Sequence, residues 1–428
     1  MINTKEAIKV ISNGEYDNVF KDVYVDENVL DYQKKRYINA IEQYETIFCP
    51  DNVEIFSAPG RSEVCGNHTD HQHGKVLATS INLDTIAIAS MHNDNIIKLV
   101  SDGYDMITLD INDLRINDDE AGTTVSLIRG VLKGLKDKGY KIGGFNAYAT
   151  SDVLVGAGLS SSAAFEVIIG TIISGLYNDM KIDSVEIAQI SQFAENVYFK
   201  KPCGLMDQMA CSVGGIINID FKNPEKPIVK KITTDFEQYN YSLCIVDTKG
   251  DHVDLTDDYA MIPSEMKKVA NYMGKEVLRE CDSNEFYLHL AKIREAVGDR
   301  PALRAFHFFT EEKNVQNAVD ALEKGKFDEF LDAIKKSGNS SFKYLQNVYT
   351  NRDVQHQNMS IALALSESLL RTYGVCRVHG GGFAGTIQAF VENDFVPEYK
   401  KEIEKLFGEG SCHVLKVRKL GGCKVMEE

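Results

Sequence analysis

The stretch Val155-Gly156-Ala157-Gly158-Leu159-Ser160-Ser161-Ser162-Ala163-Ala164 constrains this chain more than any other feature. It stands between a segment that reads as a strand, FNAYATS at 145–151, and an apolar run through about Leu176 that reads as a helix. Gly156 and Gly158 let the backbone come close to a ligand. The serines bring hydroxyls and N–H groups to the start of a helix, where the partial positive charge forms an anion site. Gly-Ser stretches also serve as plain turns and helix caps. Here Ala163 and Ala164 follow at once, and their small size favours close helix packing behind a ligand loop. No Gly-Lys pair in the chain is followed by Ser or Thr, which excludes the ordinary nucleotide P-loop, and the GxGxxG spacing of dinucleotide folds is missing.

Composition narrows the partners. The chain has 428 residues and 43% hydrophobic content, more than one core usually supports, so two domains are expected. The boundary is placed near 225, giving 1–225 and 226–428, on the weak linker signal FKNPEKPIVKK at 221–231. The formal charge of −16 argues against nucleic-acid and membrane partners, because phosphate backbones and anionic lipid are repelled. An anionic ligand then needs a locally positive site made of backbone N–H groups, a helix start, an arginine and a metal. Nine cysteines without metal spacing, and an N-terminus without a basic-then-apolar segment, lead us to expect a reducing, cytoplasmic setting. The longest apolar run, VIIGTIISGL at 167–176, is too short to cross a bilayer.

Elements alternate in two blocks. Residues 1–50 read as a helical lead-in, with Ile38, Ile41, Tyr44 and Phe48 at helical spacing. NVEIFSAPG and DTIAIASM read as strands, Ile128 to Leu135 and 184–199 as helices. SLCIVDT at 242–248 is a strand, 256–374 mostly helical, and TIQAFVE and HVLKVRK are late strands. This pattern is α+β.

A second cluster, Gly60-Arg61-Ser62-Glu63-Val64-Cys65-Gly66-Asn67-His68-Thr69-Asp70-His71-Gln72-His73-Gly74, is dense in polar groups and lacks periodicity. It reads as a loop after a strand. Its donors and acceptors suit a polyhydroxylated ligand. A zinc site of His68, Asp70, His71 and His73 is the weaker reading, since the helical His-x₃-His pair is missing.

Four blocks in order resemble the GHMP kinase superfamily, and the galactokinases within it. Ala58-Pro59-Gly60-Arg61 through Gly66-Asn67-His68-Thr69-Asp70 is similar to the sugar-binding block, and Gly156 to Ala164 to the ATP loop. Cys203-Gly204-Leu205-Met206-Asp207-Gln208 resembles the segment around the catalytic aspartate, and Val378-His379-Gly380-Gly381-Gly382-Phe383-Ala384-Gly385 the C-terminal glycine block. The resemblance implies a two-domain α+β GHMP kinase fold with the active site in the cleft between domains. It implies transfer of the ATP γ-phosphate to the anomeric hydroxyl of a sugar such as galactose, with Mg²⁺ as cofactor. It gives Asp207 and Arg61 catalytic roles and assigns sugar binding to Asn67, His68, Thr69, Asp70 and Tyr259. ATP would lie on Gly156, Ala157, Gly158, Leu159, Ser160, Ser161 and Ser162. Mg²⁺ would be held by Ser162 and Glu195, with Glu166 as the rival ligand or a helix-surface contact.

The chain departs from the pattern at several places. The acid of the family's G-E-H is Asn67, the Asn of G-R-x-N is Glu63, the Tyr after Thr-Asp is His71, and GGGFGG has become GGGFAG. Loss of the charge at Asn67 opens galacturonate as an alternative substrate. A non-catalytic sugar sensor of the same family is disfavoured, because the run Ser160 to Ala164 is complete. The block at 66–70 argues against mevalonate, homoserine or inositol as substrate.

Overall fold

A computed structural model describes residues 1–49, 51–154, 158–234, 236–250, 255–383 and 385–426. Two long strands, Asn52–Cys65 and Lys75–His92, form the antiparallel backbone of the first sheet. Their side chains alternate between two apolar layers, as the two-residue strand period requires. Phe56, Ala58, Ala87 and Ala89 enter one core, with the helices Thr124–Asp137, Ser161–Asn178 and Ser184–Phe193. Ile55, Ile86 and Ile88 enter another, with Tyr37, Ile41 and Tyr44 of the helix Leu30–Phe48. Each of these isoleucines is fully buried, worth about 1.5–3 kcal/mol apiece. The N-terminal helices are therefore a structural layer over one sheet face and not merely a lead-in.

Among the described residues the first sheet has nine strands, six of which run Ile2–Asn3, Asn52–Cys65, Lys75–His92, Gly144–Ser151, Ile96–Ser101, Ile107–Asp110 along its main path. Ile216–Asp220 and Ile228–Ile232 join as a hairpin beside Lys75–His92, and Cys423–Lys424 pairs with Asn52–Cys65. The second sheet is antiparallel and is formed, among the described residues, by Gly374–Val378, Thr386–Glu392, Tyr241–Asp247 and Cys412–Leu415. The helices Phe327–Ser340, Asn358–Leu370 and Val396–Phe407 pack against it, while the long helix Asp299–Glu323 packs on Phe327–Ser340 and on Lys75–His92 of the first sheet.

Two expectations need correction. The boundary near 225 falls inside the hairpin Ile216–Asp220/Ile228–Ile232, so it cuts the first sheet. The Asn-Pro-Glu-Lys-Pro signal is the turn of that hairpin, because the same residue types mark tight turns and linkers alike. The cluster 60–74 is also not all loop. The strand continues through Arg61, Ser62, Glu63 and Val64 to Cys65, with register shifts between Pro59 and Arg61 and between Glu63 and Cys65. Apolar alternation is missing there because the strand buries polar side chains on partners. Ser62 meets His379 Nε2 at 3.1 Å and Gln388 Nε2 at 2.7 Å, and Glu63 meets Arg377 at 2.8 Å.

One buried ionic knot joins distant parts of the chain. Asp84, fully buried, accepts from Arg36 Nη1 at 2.7 Å, Arg418 Nη1 at 3.0 Å and Tyr24 Oη at 2.9 Å, and from the Ser57 hydroxyl. Burial alone would push its carboxyl up. The Arg36 and Arg418 guanidiniums outweigh that and hold it below the usual carboxylate range. Among the described residues no helix is long and apolar enough to cross a membrane.

Candidate active site

The strand carrying Arg61, the loop before Ser161–Asn178 and the helix Met206–Val213 converge on a cavity of about 840 Å³. The Arg61 backbone N–H donates to Leu159 O at 3.1 Å and its Nη1 to Gly158 O, which fixes the loop to the strand. Gly158 has φ +66°, and a Cβ there would lie 2.9 Å from Thr386 Oγ1 and 3.3 Å from His379 Nδ1. Only glycine fits that close approach between the first loop and the C-terminal glycine block.

Asp207 lies in the first turn of its helix, where the dipole favours an anion. Arg61 grips it in a fork, Nε to Oδ1 at 2.7 Å and Nη2 to Oδ2 at 2.6 Å. Ser160, in the left-handed region at φ 57°, leaves the helix uncapped and donates its hydroxyl to Asp207 Oδ2. A non-glycine residue there is strained by roughly 1–2 kcal/mol. Burial pushes the Asp207 carboxyl up. Arg61 more than offsets it, Ser160 adds to the effect, and the net position is below the usual range.

The sugar-block residues divide. His68 and Asp70 reach the cavity wall, together with Tyr259. His68 Nε2 donates to Gly381 O at 3.0 Å, and burial, reinforced by His71, lowers the ring to about 3, so it is neutral. Asp70 accepts from the His71 N–H at 2.9 Å and sits so tightly on Gly204 that a Cβ there would lie 1.8 Å from its Oδ2. Tyr259 donates to Gly382 O at 2.8 Å and sets its ring edge-on to Phe383.

Asn67 and Thr69 do not reach the cavity. Both are fully buried. Asn67 Nδ2 donates to Gly380 O at 2.7 Å and to Glu63 Oε2 at 3.0 Å, while its Oδ1 accepts from Asn347 Nδ2 at 2.7 Å. The Thr69 hydroxyl faces the carbonyls of Gly66 and Lys75 at 2.8 and 2.6 Å. Their polar groups are consumed by the turn itself, a use that a string of polar letters does not distinguish from ligand contact. Leu159 is likewise a core side chain, with only its carbonyl at the site. Ser161 and Ser162 are half-buried in the first turn of their helix. Gly156 and Ala157 lie outside the described residues.

Beside Asp207 stands a buried acidic pair. Gln208 Nε2 donates to Glu195 Oε2 at 2.7 Å and to Glu166 Oε2 at 3.2 Å. Glu166 is fully buried and not a helix-surface contact, because its face of the helix turns inward to Glu195. Burial and the Glu195 charge raise its carboxyl to about 9, and its Oε1 has no hydrogen-bond partner. Lys201 Nζ approaches Glu195 Oε1 at 3.2 Å. The partnerless Glu166 Oε1 and the Glu195 carboxylate are hard oxygen ligands of the kind a divalent cation takes.

Sequence reasoning gave no role to Glu63, Lys201 or His379, all of which line the cavity. His379 was legible as part of the glycine block. Lys201 had only its place two residues before Cys203-Gly204 as a signal.

Residues 126–215 match the GHMP kinases N terminal domain, and residues 42–91 the galactokinase galactose-binding signature. The galactokinase of Limosilactobacillus reuteri is 28% identical over 380 residues, covering 86% of this chain and 93% of that protein. That of Streptomyces coelicolor is 28% identical over 373 residues, covering 86% and 92%. The crystal structure of Lactococcus lactis galactokinase complexed with galactose superposes with a TM-score of 0.77 at 24% identity, covering 90% of this chain and 98% of that one. Methanococcus jannaschii mevalonate kinase reaches 0.60 at 17% identity, covering 86% and 98%. With both sequence blocks in place on the matching fold, the chain carries the GHMP kinases N terminal domain and the galactokinase galactose-binding signature.

Proposed function

We propose that this protein is an ATP-dependent galactokinase, transferring the γ-phosphoryl group of ATP to the anomeric hydroxyl of galactose. The observation that carries the reading is the Arg61–Asp207–Ser160 cluster, set where the glycine-serine loop meets the cavity wall formed by His68, Asp70 and Tyr259. Phosphoryl transfer asks for positioning and charge neutralisation more than for covalent chemistry.

Asp207 holds the acceptor hydroxyl. Arg61 fills one site on each carboxylate oxygen and Ser160 a second on Oδ2, leaving one acceptor position on Oδ1 of the four that a carboxylate offers. Held below the ordinary carboxylate range, Asp207 is a weak base. It therefore orients the hydroxyl and receives its proton late, once the new oxygen–phosphorus bond has acidified it. The start of the helix Ser161–Asn178 offers N–H groups to phosphate oxygens. Mg²⁺, for which Ser162 and Glu195 are the proposed ligands, would neutralise phosphate charge when bound. His68, Asp70 and Tyr259 bound the sugar side of the cavity. A coupled ADP-release assay over aldohexoses, aldopentoses and uronic acids tests the reading. Sugar-dependent release greatest with galactose is expected, and no release above background with any of them rejects it.

A further inference from the structure

Glu63 is a buried acid in the cavity wall to which the phosphoryl-transfer chemistry gives no task. It is 3% exposed. Its Oε1 accepts from Arg377 Nη2 at 2.8 Å and its Oε2 from Asn67 Nδ2 at 3.0 Å. A carboxylate offers about four acceptor sites, so about two remain. Asn67 beside it has the opposite character. Its amide is enclosed, with Gly380 O, Glu63, Asn347 and Ser341 around it. Arg377, 1% exposed, is locked behind them by a bond from Nη1 to Val64 O at 2.8 Å. Glu63 is thus rigidly held, with spare acceptor capacity, in a wall that it shares with Arg61, His68, Asp70 and Tyr259.

Charge sharpens the argument. Five ionic side chains line the cavity among the described residues, namely Arg61, Lys201, Glu63, Asp70 and Asp207. Both cations are already engaged, Arg61 by Asp207 and Lys201 by Glu195 at 3.2 Å. Asp207 and Glu63 are likewise paired, with Arg61 and Arg377, so a carboxylated ligand would meet Asp70, which has no Lys or Arg partner among the described residues, and no uncommitted cation. Hydroxyl groups, by contrast, can donate to Glu63. Positions 63 and 67 carry acid and amide in the reverse of the galactokinase order, yet they hydrogen-bond to each other, so one acid and one amide are both kept and the charge moves to position 63.

Resting on the kinase reading, we infer that Glu63, and not Asn67, is the specificity-determining acid of the sugar side, accepting a hydroxyl of a neutral hexose and excluding uronic acids. The consequence reverses the sequence-level expectation for galacturonate, because the charge missing at 67 is present at 63.

The test measures binding and not turnover. Galactose and galacturonate are titrated by calorimetry into the wild-type protein, E63Q and E63D, each with Mg²⁺ and a non-hydrolysable ATP analogue, alongside thermal melts. The wild type should bind galactose about 100-fold more tightly than galacturonate, the scale of a like-charge penalty. In E63Q galactose should weaken by roughly 10-fold and the preference should narrow at least as much. Where E63Q melts below the assay temperature, E63D is read instead: it keeps a carboxylate for Arg377 but draws it back by one methylene, so galactose should again weaken and the preference narrow. Wild-type protein that binds galacturonate as tightly as galactose overturns the inference. So does an unchanged preference in a folded variant, which leaves Glu63 a structural ion pair. Selective galactose binding without ADP release in the assay above would sink the kinase reading and leave the assignment of Glu63 standing.

Discussion

Replacing Arg61 by lysine keeps the charge and destroys the fork, and the structure sets the size of the loss. Arg61 makes three side-chain bonds, two to Asp207 at 2.7 and 2.6 Å and one to Gly158 O. An ammonium on a flexible stem can retain about one of them. Hydrogen bonds to charged groups contribute about 1.5–3 kcal/mol each, so losing two removes roughly 3–6 kcal/mol of ordering at the reacting centre. If that ordering is needed in the transition state, R61K lowers kcat/KM for galactose by roughly 10²–10⁴. The loss should fall on kcat, with the galactose KM within about threefold of wild type, since Arg61 acts on Asp207 and the loop and not on the sugar ring. A coupled ADP assay at saturating MgATP measures both. The companion cycle of R61A, D207A and the double variant tests whether the pair acts as one unit. The double should then be no more than about threefold slower than D207A alone. A drop in R61K smaller than tenfold, or losses that simply multiply in the cycle, refutes the reasoning.

Other consequences are as direct. Asp207 titrates below its ordinary 3.8 in the fold, so the stabilisation from its pairing is present above about pH 4 and lost as pH falls through the depressed value. The acid limb of kcat/KM should therefore lie below pH 4 in the wild type and rise by at least about one pH unit in R61A, where burial acts unopposed; an unmoved limb contradicts the assignment. G204A forces a Cβ into the place of Asp70 Oδ2, and a carboxylate can swing away, so the galactose KM should rise roughly tenfold with the melting temperature nearly unchanged. E195Q should raise the half-saturating Mg²⁺ concentration by roughly 10–100-fold without moving the galactose KM, as titration of Mg²⁺ at fixed ATP would show. D84N removes the charge opposing two buried guanidiniums and should cost about 3–5 kcal/mol in urea unfolding, with kcat/KM of the remaining folded protein intact.

Much of the fold was legible because periodicity is a local property. The strands at 145–151, 242–248 and 386–392 and the helix after Ser160 all stand where the letters place them. The segment 60–65 was misread because Arg61, Ser62 and Glu63 are buried against partners more than 100 residues away in sequence, and no local pattern records a distant partner. The site followed the same division. Arg61 and Asp207 were legible as a pair through their blocks, and the geometry joins them. Asn67 and Thr69 close the turn instead of lining the cavity, and a polar residue that closes a turn and one that faces a ligand look alike until the hydrogen bonds are drawn. Glu63 was noticed only as a departure from pattern. Its meaning depends on Arg377, 314 positions later.

The pairing of Cys423–Lys424 with the strand Asn52–Cys65 bears on how the molecule is born. Lys424 reaches Glu54 across 370 residues of sequence, and Arg418 reaches Asp84 across 334. Until Arg418 to Lys424 leave the ribosome, the first sheet has an open edge and the Asp84 carboxylate lacks one of its two guanidinium partners. Nascent chains should therefore remain exposed to proteolysis and strand-edge association until residues 418–424 have been made, even though the first sheet's longest strands precede them by more than 300 residues.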